Sequence, residues 1–218
     1  MYSMQSTMQV MAGIPLLEVR KTPLDGWRRI LKRSFDLIGV ALGLVLTAPL
    51  FAIVALVIKL TDPGPVFYRH KRLSRSGSTI YVYKFRSMLA QFSTGEGFTG
   101  KTDAEIFKEL GKPELITEFK KAQKLEDDPR VSRVGKLLRK TSIDELPQLI
   151  NVLRGDMSLV GPRPIVQDEL EHYGTKVDTF FALKPGLVGL WQVSGRSDVD
   201  YAERVKLDIY YVENWSLW

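Results

Sequence analysis

The dominant pattern in the chain is an apolar run from Leu37 to Ile58, LIGVALGLVLTAPLFAIVALVI, which holds no charged residue. A hydrocarbon core roughly 30 Å thick takes on the order of 20 helical residues to cross, so the run predicts a membrane helix. Pro49 falls past its middle, where it removes a backbone donor and crowds the preceding turn; a helix–break–helix is expected there. Upstream, Trp27 to Phe35 alternates basic and apolar residues, as a helix lying at the lipid interface does. Arg28, Arg29, Lys32 and Arg33 precede the run, and Lys59, Arg69, Lys71, Arg72 and Arg75 follow it. Basic residues beside a membrane segment prefer the cytoplasmic side. The double flank therefore favours a re-entrant anchor, entering and leaving on one face, over a single Pro-kinked span.

After Thr61 the period changes. Pro65 to His70 and Thr79 to Arg86 carry the aromatic and β-branched residues of strands, with turn chemistry at Ser74–Ser78 between them, which predicts a β-hairpin. Residues 89–101 are Gly-containing and aperiodic, so a mobile loop is expected. Asp103 to Leu110 and Glu114 to Leu125 read as two charged, largely exposed helices, and Arg133 to Lys140 as a short basic one. Leu146, Leu149, Ile150 and Leu153 recur at helical spacing. Pro147 is suited to the first turn of that helix, which puts its start near Asp144. Residues 1–13 are Met/Gln/Ser-rich, and the first 26 residues are expected as a flexible lead-in. The expected organisation is this lead-in, an interfacial and membrane segment over 27–60, and a compact cytoplasmic domain over 61–218. The fold class is α+β, mostly helical, with one small hairpin and amphipathic surface helices.

Charge and composition narrow the chemistry. The 31 Lys+Arg against 25 Asp+Glu give a net charge of +6. The basic residues gather around the apolar run instead of forming a separate stripe, which points to anionic inner-membrane lipid and away from nucleic acid. There is no Cys, and the histidines are His70 and His172, which excludes a disulfide scaffold, a Cys-ligated metal and a Cys nucleophile. A bound metal would be a hard cation held by carboxylates and phosphates.

The stretch Arg139 to Pro164, RKTSIDELPQLINVLRGDMSLVGPRP, holds the candidate site. Asp144 and Glu145 stand together at the expected helix start. Acids there cap the helix and complement its dipole, and Ser142 with Glu145 has capping-box spacing. The same place also draws phosphate and its cation. Arg163 sits between Pro162 and Pro164, either in a plain rigid turn or as a guanidinium fork pinned for phosphate.

This run, together with Lys32-Arg33-x-Phe35-Asp36, YKFRSM, KPGLVGLWQVSGRS and LDIYYVEN, resembles the bacterial sugar transferase family of monotopic phosphoglycosyl transferases over Arg28 to Trp218. The resemblance implies transfer of a sugar 1-phosphate from a UDP-sugar to polyprenyl phosphate, with release of UMP and with Mg²⁺ as cofactor. It implies a re-entrant hairpin in the bacterial inner membrane with the catalytic domain facing the cytoplasm. Asp144 matches the nucleophile, and Glu145 matches its partner in holding the metal. Arg139 and Arg163 match basic positions; Lys84, Arg86 and Arg196 are assigned to phosphate and nucleotide, with Asp156 and Asp208 supporting. Trp191 and Tyr201 either line a nucleoside pocket or fill core. Thr47-Ala48-Pro49 stands where some small members have Ser-Pro, so the bend rests on Pro49. The segment from about 89 to 126 resembles that of members that start capsule or O-antigen repeats with a hexose; the resemblance to long-form initiators implies galactose or glucose, with diacetamido sugars as the alternative. The exposed 103–125 helices would allow a homodimer. Two rival readings are a membrane-tethered phosphate- or lipid-binding module and a diphosphate hydrolase using the same acids.

Overall fold

In the computed structural model, the apolar run lies within one helix, α1 (Trp27–Thr61), of 35 residues. At about 1.5 Å per residue it is some 50 Å long. It is the one helix, among the described residues, that is long and apolar enough to cross a membrane. Those residues are 5–11, 14–20, 26–94, 97–98, 101–122, 125, 127–194 and 199–215. Helix α1 passes through Pro49 without a non-helical interruption, which corrects the expected helix–break–helix. One missing donor in so long a ladder can be absorbed by bending, with the turns on either side kept. Leu42, Val45, Leu46, Ile53, Leu56 and Leu60 are exposed along it, as lipid-facing residues would be.

The chain forms two compact units: residues 1–43, 71–80 and 151–218 make one, and residues 44–70 and 81–150 the other. In the second unit, Leu50, Phe51, Val54, Ala55 and Ile58 recur at three- and four-residue steps on α1 and pack with Phe85 and Leu138. Strands β3 (Phe67–Leu73) and β4 (Thr79–Phe85) pair around the Ser74–Ser78 turn, giving the expected hairpin. Helices α2 (Asp103–Glu109) and α3 (Leu115–Ala122) follow. A Thr102/Glu105 capping box starts α2. Helix α2 is less exposed than its charge suggested, because Ile106 and Phe107 are fully buried. The region expected as a mobile loop contains a 3₁₀ turn, Ala90–Phe92, and a buried Ser93, whereas Gly95, Glu96, Thr99 and Gly100 lie outside the described residues. Helix α4 (Arg133–Thr141) ends at Ser142 in a left-handed conformation (φ 57°), and a 3₁₀ turn, Ile143–Glu145, leads to α5 (Gln148–Arg154).

In the first unit, β5 (Ser158–Val160) pairs in parallel with β6 (Gly186–Val188). The chains approach so closely that a Cβ on Gly186 would overlap the Gly161 backbone, so both positions need glycine. Helices α6 (Val177–Phe180), α7 (Leu190–Ser194) and α8 (Tyr201–Glu213) complete the unit. Its core gathers Leu73, Ile165, Tyr173, Phe180 and Ile209. Within the stretch expected as a lead-in, β1 (Gln5–Met11) and β2 (Ile14–Arg20) form an antiparallel pair with Met11 opposite Ile14. Neither strand alternates apolar and polar residues regularly enough to stand out in sequence.

The N-terminal half of α1 is tied down by charge. Lys32 Nζ lies 2.7 Å from Asp36, whose carboxylate accepts from the Ser158 hydroxyl at 2.8 Å and the Leu159 amide at 3.1 Å. Arg33 donates to the Val152 and Leu153 carbonyls at the end of α5, where a cation complements the helix dipole.

Candidate active site

The two adjacent acids sit in the 3₁₀ turn before α5. Ser142 makes no side-chain cap bond, so the capping-box expectation is corrected. Its left-handed backbone turns the chain sharply off α4, and the buried Pro147 follows the acids. Asp144 is thereby buried, at 8% exposure. Burial pushes its carboxyl above the usual carboxylate range; Lys84 opposes the rise, the neighbouring Glu145 adds to it, and Arg139 opposes it.

Lys84 and Arg139, the two cations in the field of Asp144, each make a side-chain hydrogen bond. Lys84, on β4, donates from Nζ to Glu145 Oε1 at 2.6 Å. Arg139, on the last turn of α4, donates from Nε to Ser87 Oγ at 2.9 Å. Burial lowers the Arg139 pKa from its ordinary value, while Asp128 and Asp144 favour its charge. The outcome is a desolvated carboxylate with two cations in its field and a second carboxylate beside it. Such a group is set up to approach an electron-poor centre carried by a negatively charged substrate.

Behind Arg139 lies a cluster that the sequence reading missed. Arg130 is fully buried; its Nε and Nη2 donate to Asp128 at 2.8 and 2.7 Å, and its Nη1 pairs with Asp103. The guanidinium lies 4.4 Å from the centre of the Phe107 ring and 4.9 Å from that of Phe119. Arg86, expected at phosphate, is buried instead: it donates to the Asp62 backbone carbonyl and pairs with the Asp62 carboxylate at 3.3 Å, against Gly64. This fastens the end of α1 to β4.

The remaining candidates belong to the other unit. Asp156 accepts from Asn151 Nδ2 at 3.4 Å and lies 3.6 Å from Arg154 in the turn after α5. The Gly161–Pro164 segment is stitched to β6 by Gly161 N–H to Val188 O at 3.0 Å and Gly186 N–H to Pro162 O at 2.8 Å. Arg163 leaves this fixed backbone and lies 5.6 Å from the centre of the Trp191 ring, which Arg204 also approaches, at 4.7 Å. Asp208 is buried and accepts from the Tyr173 hydroxyl at 2.9 Å. Burial raises its pKa to about 7, against the pull of Tyr173 and of the Arg163 backbone amide and charge. Trp191 is buried, and Tyr201 packs against the core and stacks on His172 at 4.0 Å. Arg196 lies outside the described residues.

Ser87 and Asp128 are the functional neighbours absent from the sequence reading. Ser87 was visible within YKFRSM but carried no chemistry of its own. Among the described residues, no group of three or more His, Asp or Glu side chains could hold a metal.

Residues 27–218 match the family described as bacterial sugar transferase. The chain is 47% identical over 195 residues to an exopolysaccharide production protein, ExoY, of Sinorhizobium fredii, covering 89% of this chain and 81% of that protein. It is 47% identical over 208 residues to the undecaprenyl-phosphate galactose phosphotransferase of Salmonella typhimurium, with 94% and 41% covered. A UDP-glucose:undecaprenyl-phosphate glucose-1-phosphate transferase of Escherichia coli is 37% identical over 223 residues, with 99% and 43% covered. The chain thus spans most of the first relative and less than half of the other two.

Proposed function

Because the chain belongs to the bacterial sugar transferase family, we propose that it transfers a hexose 1-phosphate from a UDP-hexose to undecaprenyl phosphate and releases UMP, as the first membrane step of a polysaccharide. Galactose and glucose are the sugars named for its relatives. The observation that carries this reading is the buried Asp144 beside Glu145, within the field of Lys84 and Arg139.

In the first half-reaction an Asp144 carboxylate oxygen attacks the sugar-bearing phosphorus. The bond from that phosphorus to the bridging oxygen breaks, and UMP leaves with the electron pair. In the second, a phosphate oxygen of undecaprenyl phosphate attacks the same phosphorus and Asp144 leaves as carboxylate. Desolvation keeps Asp144 from being cloaked by water, and the fields of Lys84 and Arg139 lower the cost of bringing a carboxylate to a diphosphate. Arg163, on its proline-flanked backbone in the other unit, matches a basic position of the family and carries a fork suited to a phosphate.

Asp144 and Glu145 fit a Mg²⁺ that takes one or two protein carboxylates and completes its shell from substrate phosphate and water. Bound there, Mg²⁺ would screen charge between carboxylate and diphosphate. Donor phosphate and water would complete the shell, which suits an ion arriving with its substrate.

The anchor is read as re-entrant in the cytoplasmic membrane, with α1 bending at Pro49 without losing its helical run. Basic residues on both flanks favour that reading, since a straight span would carry one cluster across. A single anchored site serves a soluble donor and a lipid acceptor in turn, and covalent storage on Asp144 lets them bind at different times.

The test is a UMP-release screen of UDP-hexoses with undecaprenyl phosphate and Mg²⁺. Sustained release that requires the lipid phosphate supports transfer. Steady release from the donor alone would make the protein a hydrolase, and no release with any UDP-hexose would defeat the reading.

A further inference from the structure

We propose that Ser87 is a positioning residue that aims the Arg139 guanidinium at the phosphate chemistry of Asp144, an inference that rests on the function proposed above. Helix α4 presents Ser132, Gly135 and Arg139 at steps of three and four residues, along one face. All three meet Ser87. Its carbonyl accepts from the Ser132 amide at 3.1 Å and the Ser132 hydroxyl at 3.3 Å, which ties the start of α4. Gly135 lies so near that a Cβ would overlap the same carbonyl oxygen and stand 2.9 Å from the Ser87 Cα. The Ser87 hydroxyl then accepts from Arg139 Nε at 2.9 Å, two turns further on.

Ser87 has little freedom to follow the helix. The preceding Arg86 amide donates to Val66 O at 2.8 Å, Met88 bridges Val131, and the Leu89 amide donates to Arg130 O at 2.9 Å. The hydroxyl is therefore a fixed acceptor at 8% exposure. Arg139 needs one, because its charge lies in the field of two acids, Asp128 and Asp144. Asp128 belongs to the Arg130 cluster and would draw the guanidinium toward the interior. A bond at Nε fixes the plane of the fork and leaves its terminal nitrogens available to phosphate oxygens. The glycine at 135 follows from the same requirement: only without a side chain can α4 lie close enough for Arg139 to reach Ser87.

The experiment is a double-mutant cycle on the full chain with Ser87→Ala and Arg139→Ala, reading kcat and KM for UDP-hexose together with Tm. A hydrogen bond to a charged group, removed with the transition state in mind, predicts that Ser87→Ala lowers kcat roughly 10- to 100-fold with KM little changed. In the Arg139→Ala background the same substitution should cost less than about twofold, because its effect passes through the missing guanidinium. Arg139→Lys keeps the charge but cannot place an Nε–H on Ser87, so its kcat should fall as in Ser87→Ala with Tm preserved. An equal loss from Ser87→Ala in both backgrounds, or wild-type kcat in Ser87→Ala or Arg139→Lys, would overturn the proposal while leaving the function intact. Wild-type kcat in Arg139→Ala would instead remove Arg139 from the proposed mechanism, and this inference with it.

Discussion

Asp128 and Asp144 are both buried aspartates of one unit, each with arginine in its field, yet their carboxyls move in opposite directions. Asp128 falls below its ordinary pKa. Burial opposes that, but hydrogen bonds from the Arg130 side chain and backbone outweigh it. Asp144 rises: burial is the largest influence, the neighbouring Glu145 adds to it, and the charges of Lys84 and Arg139 oppose it without outweighing it. Both are buried, but hydrogen bonds from Arg130 outweigh burial at Asp128, whereas burial prevails at Asp144.

The sharpest way to break this contrast is to neutralise each acid. Asp144→Asn should lower UMP release at least about a thousandfold, as loss of a nucleophile does, with Tm little changed or higher. Asp128→Asn should do the reverse, keeping measurable turnover while losing about 2–4 kcal/mol in urea unfolding as Arg130 loses its counter-charge. Equal activity losses in the two variants would erase the distinction. Next in size, Arg130→Ala leaves Asp128 buried without its partner and empties the space between Phe107 and Phe119; it should cost about 3–5 kcal/mol.

Asp208 extends the comparison to the other unit. Its pKa, raised from 3.8 to about 7, means that the folded state holds a proton the unfolded chain has released between those values. Its contribution to stability is therefore full below about pH 4 and lost as pH rises through about 7, at most about 4 kcal/mol. Urea midpoints of Asp208→Asn should lack that slope; an identical pH dependence in variant and wild type would show that Asp208 ionises normally. The smallest effect belongs to the exposed Lys101–Glu109 pair, where Lys101→Ala should shift stability by no more than about 0.5 kcal/mol.

Legibility followed the range of the interactions. The membrane helix, the hairpin, α4 and the Asp144–Glu145 pair are local patterns, and each was readable from spacing or adjacency. The contact of Ser87 with α4 joins residues distant in sequence, and the burial of Arg130 depends on Phe107 and Phe119, so neither had a local signal. The pairing of Arg86 with Asp62 at the end of α1 likewise joins residues distant in sequence and had no local signal. Proline misled in another way. At Pro49 the rule for soluble helices predicts a break, but a 35-residue apolar helix keeps its turns through it.

The central claim, that Asp144 stores the sugar phosphate, is tested most directly by mass spectrometry of the protein mixed with UDP-hexose alone. The account predicts a burst of UMP matching the amount of enzyme and a hexose-phosphate adduct on the peptide containing Asp144, discharged when undecaprenyl phosphate is added. Continuous turnover by Asp144→Asn, or lipid-dependent turnover of the wild type with no adduct on that peptide under trapping conditions, would contradict it.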